Sequence, residues 1–486
     1  MEPCPSLCPL RHPSRRPCPG ASRRLFRLSG AALAIAVLAW GCGGDDGAER
    51  GEAVAVTEVA GLTKAAIDQL TAANGMQPVS GPARCDVSLR ELTYRTKDPR
   101  GEDTILVSAA LLVPGGAGCD EPFPLVAYGK GTDLLRDRTL ADPDETETLV
   151  LAALFAAQGY AVVAPDYIGF ARSDYPYHPY LEADSEATTI LDAARAARAA
   201  LAPLGVRLRR GVFLAGYSQG GHASMAAQRV AERNRERDLE IVAAGHSSGP
   251  YDLGGTFLAG LSLLPAGTAG STVFLAYTLT GYQQTYGNLY ATPSDYFQPP
   301  YDSGIEDLLP GTLSPGQLIE SGLLPPLLGD LVTPRLVADL QTPGSNLRQA
   351  LERNTLLAWT PRAPTLLCGG ARDPVVDFRN GMQARAAFEA RGVAVPLVDV
   401  EQVPAFAAFF PATLTPAQLA SYHAGTVAPL CLAVVRDQLF EPVRAALPDE
   451  PVPLAHLPTA EQEAAARPPR ADPYRVAGFA SVRVAR

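Results

Sequence analysis

The stretch Gly216-Tyr217-Ser218-Gln219-Gly220-Gly221 constrains the fold more than any other part of the chain. It closes an apolar run, "GVFLAGYSQGG", and passes directly into the alanine-rich "HASMAAQ". One glycine suffices for an ordinary turn from strand to helix. Three glycines around a single serine predict a strained turn in which strand and helix approach too closely for side chains at Gly216 and Gly220. Such a turn lifts the serine hydroxyl above a sheet and leaves helix N–H groups facing any negative charge formed there. The competing reading is a serine N-cap with a glycine-rich approach. The rest of the chain has to decide between them.

The surrounding rhythm is that of an α/β fold. Cys85 to Pro114 alternates as a β-hairpin with "DPRGED" as its turn. Four apolar runs follow, each ending at glycine or proline: "PFPLVAYGKG", "YAVVAPDYIG", "GVFLAGYSQG" and "IVAAGHSSGP". Helical patterns separate them, of which "ETETLVLAALFAAQG" and "TTILDAARAARAAL" are the clearest. Strands alternating with helices predict a mostly parallel sheet, completed by "APTLLCGGARDPVV" and "VAVPLVDVEQV". Between about Gly254 and Thr360 the rhythm changes to a segment rich in Leu, Pro and Tyr without sheet-like runs, which reads as a helical insertion over the sheet. The expected division is an export segment 1–41, a polar tether 42–60, a first catalytic part 61–254, a helical cap 255–355, a second part 356–445 and a Pro/Ala-rich end 446–486. The insertion's apolar stretches, "LAGLSLLPAG" and "LIESGLLPPLLGDLV", are expected to pack down over Ser218 and wall a cleft suited to acyl chains.

A serine hydroxyl attacks only when a histidine takes its proton and a carboxylate orients that histidine. On a strand–elbow–helix scaffold the chain order is Ser, acid, His. His246 comes too early, in what reads as the turn after the next strand, and His456 lies in the proline-rich end. His423, in "SYHAGTVAPLC", follows the last predicted strand and is the expected base. His222, at what reads as the exposed start of the helix after the elbow, is expected to pack behind Ser218. Asp373, Asp377 and Asp399 are the candidate acids. Asp373 is preferred because it stands at the carboxyl end of the penultimate strand; Asp377 is the fallback. The oxyanion needs two backbone N–H donors. Gln219 supplies one, and Thr132 or Gly131 in "AYGKGTD" the other, with Thr132 favoured.

The first forty residues read apart from the fold. Arginine and proline precede the short apolar run "GAALAIAVLAWG", the pattern of an export signal. "Ala39-Trp40-Gly41-Cys42" resembles a lipobox, with "SRRLF" resembling a twin-arginine signal; Cys42 would then be lipidated and the protein exported and anchored to a membrane. Removing residues 1–41, with six Arg and one Glu, takes the net charge from −10 to −15, which argues against a nucleic-acid partner. Cys85, Cys119, Cys368 and Cys431 then remain, and no spacing among them is that of a metal site. If the loops bearing acid and base converge, Cys368 is drawn to Cys431, leaving Cys85 for Cys119.

Together, "YGKGT", "VVAPDYIGF", "GYSQGG", "NTLLAWTPRAPTLLCGGARDPVV" and "YHAGTVAPLC" resemble the α/β-hydrolase superfamily. More narrowly they resemble the secreted lipase family of the fungal secretory lipases and Candida antarctica lipase A, over most of residues 60–440. The resemblance implies an α/β-hydrolase fold with a helical cap, a Ser218–Asp373–His423 triad, an acyl-ester substrate and no metal or organic cofactor. Lys130 stands where the family would have histidine. An acyltransferase or peptidase would need the same triad, and a non-catalytic lipoprotein could use the same cleft for binding.

Overall fold

The computed structural model describes residues 49–234, 238–264 and 270–448. The expected export segment, Cys42, His456 and the chain from residue 449 onward lie outside them. Nine strands form one sheet: β1 (Ala53–Leu62), β2 (Asp86–Lys97), β3 (Thr104–Gly115), β4 (Phe123–Gly129), β5 (Ala161–Pro165), β6 (Leu208–Tyr217), β7 (Ile241–Ser247), β8 (Thr365–Gly369) and β9 (Leu397–Asp399). Their spatial order is β1-β2-β3-β5-β4-β6-β7-β8-β9. The first three strands and the β3–β5 pair are antiparallel, and every pairing from β5 to β9 is parallel. This is the expected α/β-hydrolase architecture.

The continuous apolar runs follow from burial on both faces. Along β4, Leu125 and Ala127 join one side of the core while Val126 and Tyr128 join the other. Helices α1 (Thr146–Leu154), α2 (Ala183–Leu201) and α3 (Gln219–Asn234) connect the strands. The alanines that α2 buries are small enough to let it pack closely on α3 and β2. The hairpin runs in register from Asp86↔Gly115 to Lys97↔Thr104, around the anticipated turn.

One boundary is corrected. The stretch assigned to a polar tether through residue 60 contains β1, which pairs with β2 from Ala53 to Leu62. The edge of β2 would otherwise present unpaired N–H and C=O groups, and "AVAVTEVAGL" alternates enough to cover it.

Between β7 and β8 the chain is helical, with α4 (Leu253–Gly260), α5 (Ser271–Tyr286), α6 (Pro334–Gln341) and α7 (Asn346–Asn354) as its longer helices. Three of its prolines open helices: Pro293, Pro315 and Pro334 each occupy a first helical turn. Thr333 and Ser345 cap α6 and α7 by accepting N–H bonds. After β9, the fully buried helix α8 (Ala428–Val435) packs under the sheet.

Candidate active site

β6 ends at Tyr217, α3 begins at Gln219, and Ser218 sits between them with φ +58°. A left-handed conformation is strained for serine, and the surroundings hold it there. Ser218 N–H donates to Ser247 O at 3.0 Å, and Ser218 O accepts from Gly221 N at 2.9 Å. A side chain at Gly216 would overlap Gly220 O, and one at Gly220 would overlap Gly129 O of β4. Helix and strand therefore meet backbone to backbone, and glycine is required at both positions.

Asp373 lies in the turn after β8. Its Oδ1 accepts N–H bonds from Val375 at 2.9 Å and Val376 at 3.2 Å, leaving Oδ2 free to face His423. His423 comes from Tyr422–Val427, a single π-helical turn leading into α8. Such widened turns occur mostly where a side chain has to be displaced from regular helical register. His423 Nδ1 lies 2.6 Å from Asp373 Oδ2 and Nε2 lies 2.8 Å from Ser218 Oγ. A carboxylate can only accept, which puts the ring proton on Nδ1 and leaves Nε2 to accept from the serine hydroxyl. The Tyr217 ring packs against the imidazole at 4.7 Å. Burial, then the charge of Asp373, pushes the Tyr217 hydroxyl well above its ordinary range, so it stays protonated.

The other candidates go elsewhere. Asp377 pairs with Arg379, whose hydrogen bond pulls its carboxyl below the usual range. Asp399 accepts N–H bonds from Ala371 and Glu401. His222 is not exposed but fully buried, with Nδ1 2.7 Å from Glu186 and Nε2 2.9 Å from Asn354 O. His246 is not in a turn but inside β7, bonded to Ser224 and Gln228. Burial lowers its pKa to about 3, which keeps it neutral.

Of the two N–H groups expected from the "GKGT" turn, Gly131's is occupied. It donates to Glu147 Oε1 at 2.9 Å, which removes it as a donor to substrate. Thr132 N–H and Gln219 N–H have no acceptor among the described residues. Lys130 turns inward; its Nζ reaches Asp133 at 3.3 Å and lies over the Phe170 ring.

A cavity of about 520 Å³ opens onto Ser218, Gln219 and Asp373. Its walls come from the inserted helices, among them Phe257 of α4, Phe274 of α5 and Leu336 of α6, and from the turn after β8, where Val375, Asp377 and Arg379 line it. Disulfides join Cys85 to Cys119 and Cys368 to Cys431. The second ties β8, which leads to Asp373, to α8, which follows His423. Among the described residues no cluster of three His, Cys, Asp or Glu side chains is arranged to hold a metal ion.

The secretory lipase family model matches residues 143–408. The chain belongs to the secretory lipase family. It is accordingly a carboxylic ester hydrolase of the lipase and esterase kind. No curated protein matches it. Among solved structures, the rice cell wall degrading esterase LipA from Xanthomonas oryzae is 35% identical; the match covers 81% of this chain and 100% of that one, with a TM-score of 0.72. A solved structure from Legionella pneumophila is 22% identical over 72% of this chain and 91% of its own, with a TM-score of 0.64, a likeness of fold. Candida antarctica lipase A is 18% identical over 79% and 90%, with a TM-score of 0.53, a likeness of fold.

This member of the family also holds polar groups that sequence reasoning missed. His178 Nδ1 faces Ile168 O at 2.9 Å, and its Nε2 faces the Gln219 side-chain amide at 2.7 Å. Burial lowers its pKa to about 3, so it is neutral, with Nδ1 donating and Nε2 accepting. Glu186 accepts from the same amide at 2.8 Å. Nothing local marks either residue, because the Gln219 amide that brings them together lies 41 positions from His178 and 33 from Glu186 along the chain.

Proposed function

We propose that this hydrolase cleaves acyl esters through an acyl-enzyme on Ser218. The observation that carries the reading is the unbroken relay Asp373 Oδ2–His423–Ser218 Oγ, at 2.6 and 2.8 Å, with Ser218 and Asp373 lining a largely apolar cavity. Ser218 Oγ attacks the ester carbonyl as His423 Nε2 takes its proton, and Asp373 stabilises the imidazolium. The tetrahedral oxygen receives N–H bonds from Gln219 and Thr132, in a site where Ser218, Asp373 and His423 are each under a tenth exposed. Collapse breaks the bond to the alkoxy group, which leaves as alcohol with the proton from His423. Water, deprotonated by the same nitrogen, then attacks the acyl-enzyme and releases the acid.

The wall chemistry supports acyl chains over charged substrates, each buried methylene contributing about 0.8 kcal/mol until the cavity is full. The name of the Xanthomonas protein adds cell-wall acyl esters to the substrates worth testing. An export signal over 1–41 with lipidation at Cys42 would put the enzyme on the outer side of a membrane. The test is a p-nitrophenyl ester series from acetate to palmitate, run on wild type and Ser218→Ala. Catalytic efficiency should rise from acetate to medium chains and then level or fall. A maximum at acetate would reject the acyl-chain cleft, and turnover in Ser218→Ala would reject the nucleophile.

A further inference from the structure

The proposed oxyanion donors are supported very differently. Gln219 N–H opens α3, where Gly221 N and His222 N both bond to Ser218 O. Thr132 lies beyond the end of β4, in a stretch that is neither strand nor helix. The residue before it is glycine, the most permissive hinge a backbone can have. An unrestrained Gly131 would let the Thr132 peptide swing, and an oxyanion donor contributes only when it is already aimed.

What restrains Gly131 is a side chain. Glu147, in the first turn of α1, places Oε1 2.9 Å from Gly131 N. The same oxygen accepts the Tyr128 hydroxyl at 2.7 Å, so it is pinned from the β4 side as well. Burial raises the Glu147 pKa, while the Tyr128 and Gly131 bonds pull it down. Thr132 Oγ1 meets Tyr180 Oη at 2.9 Å, which anchors the side chain and leaves rotation of the peptide to Gly131.

We propose that Glu147 is a positioning residue for catalysis: by holding Gly131 N–H it aims the Thr132 N–H at the oxyanion. This rests on the reading of Ser218 and the two N–H donors given above. Glu147 touches no substrate atom and acts through the peptide that follows Gly131.

The test uses the full chain and four variants, Ser218→Ala, Glu147→Met, Glu147→Gln and Tyr128→Phe. Each is assayed for kcat and KM on a medium-chain p-nitrophenyl ester, and for inhibition by a trifluoromethyl ketone of the same acyl length. The methionine fills the volume of Glu147 without an acceptor, whereas glutamine keeps a carbonyl oxygen at the same place. Glu147→Met should lower kcat about 10- to 100-fold, with KM within about twofold, since losing an oxyanion donor outright lowers kcat by up to about 10³. The ketone, whose adduct carries the oxyanion, should weaken by a similar factor. Glu147→Gln and Tyr128→Phe should stay within about threefold of wild type, because each keeps the acceptor for Gly131. If Glu147→Met does not fold, Glu147→Leu, which likewise carries no acceptor for Gly131 N–H, takes its place in the comparison. Wild-type kcat in the Met or Leu variant, a loss carried by KM, or a Gln or Phe variant as slow as Met overturns the proposal while Ser218→Ala is inactive. An active Ser218→Ala overturns the underlying reading of the site, and the proposal with it.

Discussion

The sheet and the cap solve opposite problems. Each strand from β4 to β8 is buried on both faces or nearly so, and its backbone groups are satisfied by its neighbours. The turns at the carboxyl ends of β4, β6 and β8 carry Thr132, Ser218 and Asp373; backbone bonds hold the last two, and the Glu147 side chain holds the residue before the first. The cap is assembled from short helices opened by proline and capped by Ser, Thr or Asp, with its leucines and phenylalanines facing the cavity. On the proposed reading, chemistry sits at turns anchored to the sheet, and substrate choice sits where helices can change without disturbing it. Substitutions in the two regions should therefore separate turnover from chain-length preference.

The sharpest break would come at the elbow. Ser218→Ala should lower ester hydrolysis by about 10⁴-fold or more with an unchanged melting curve. Next, Asp373→Asn should lower kcat by about 10⁴-fold, as expected when the base is left in the wrong tautomer. Asp377→Asn, which only frees Arg379, should be nearly silent; the reverse ranking in steady-state kinetics would move the acid to the other turn.

Stability sharpens the contrast further. The Cys368–Cys431 bridge closes a sequence separation of 63 and lies wholly in the sheet half. Replacing both cysteines by alanine should destabilise the fold by about 4 kcal/mol on the chain-entropy account, read by urea unfolding. The base should loosen before the cap does.

Acid acts on both regions. Burial takes His246, in β7, and His178, against Tyr277 of α5, from an ordinary 6.5 to about 3. The unfolded chain protonates these groups below about pH 6.5 and the folded one does not, so stability falls as pH drops from 6.5 towards 3. The slope should be about 1.4 kcal/mol per pH unit for each histidine. His246→Gln and His178→Asn should each remove their share of it, measured as unfolding free energy at pH 7 and pH 5.

The smallest effect belongs to the cap alone. Leu340→Trp, on the cavity wall, should shorten the preferred acyl chain by a few carbons at about 0.8 kcal/mol per methylene excluded, with acetate turnover unchanged. A uniform fall across the ester series would mean that cap and sheet are not separable.

Much of the site was legible because its signals are local. The glycines at 216 and 220 report a steric collision within four residues, and the strand–helix rhythm reports burial within one element. Asp373 and His423 could be chosen from chain order and strand ends. Misreadings arose where the deciding contact is distant. Ala53–Leu62 looks like a tether until β2 offers it an edge, and His222 looks exposed until Glu186 and Asn354 close over it. Glu147 reads as an ordinary first-turn acid, and only folding places it under Gly131.

The amino-acid sequence by itself determined the elbow, the parallel sheet, the chain order of Ser218, Asp373 and His423, and the presence of an apolar insertion. Sterics and hydrophobic periodicity act over a few residues and can be read without a partner. Tertiary structure alone decided which carboxylate meets the histidine across 50 residues and how that histidine reaches a serine 205 residues away. It also decided which of two adjacent N–H groups stays free, and which face of the cap the cavity receives. Those outcomes depend on hydrogen-bond distances of about 3 Å between elements remote in the chain, and only packing sets them.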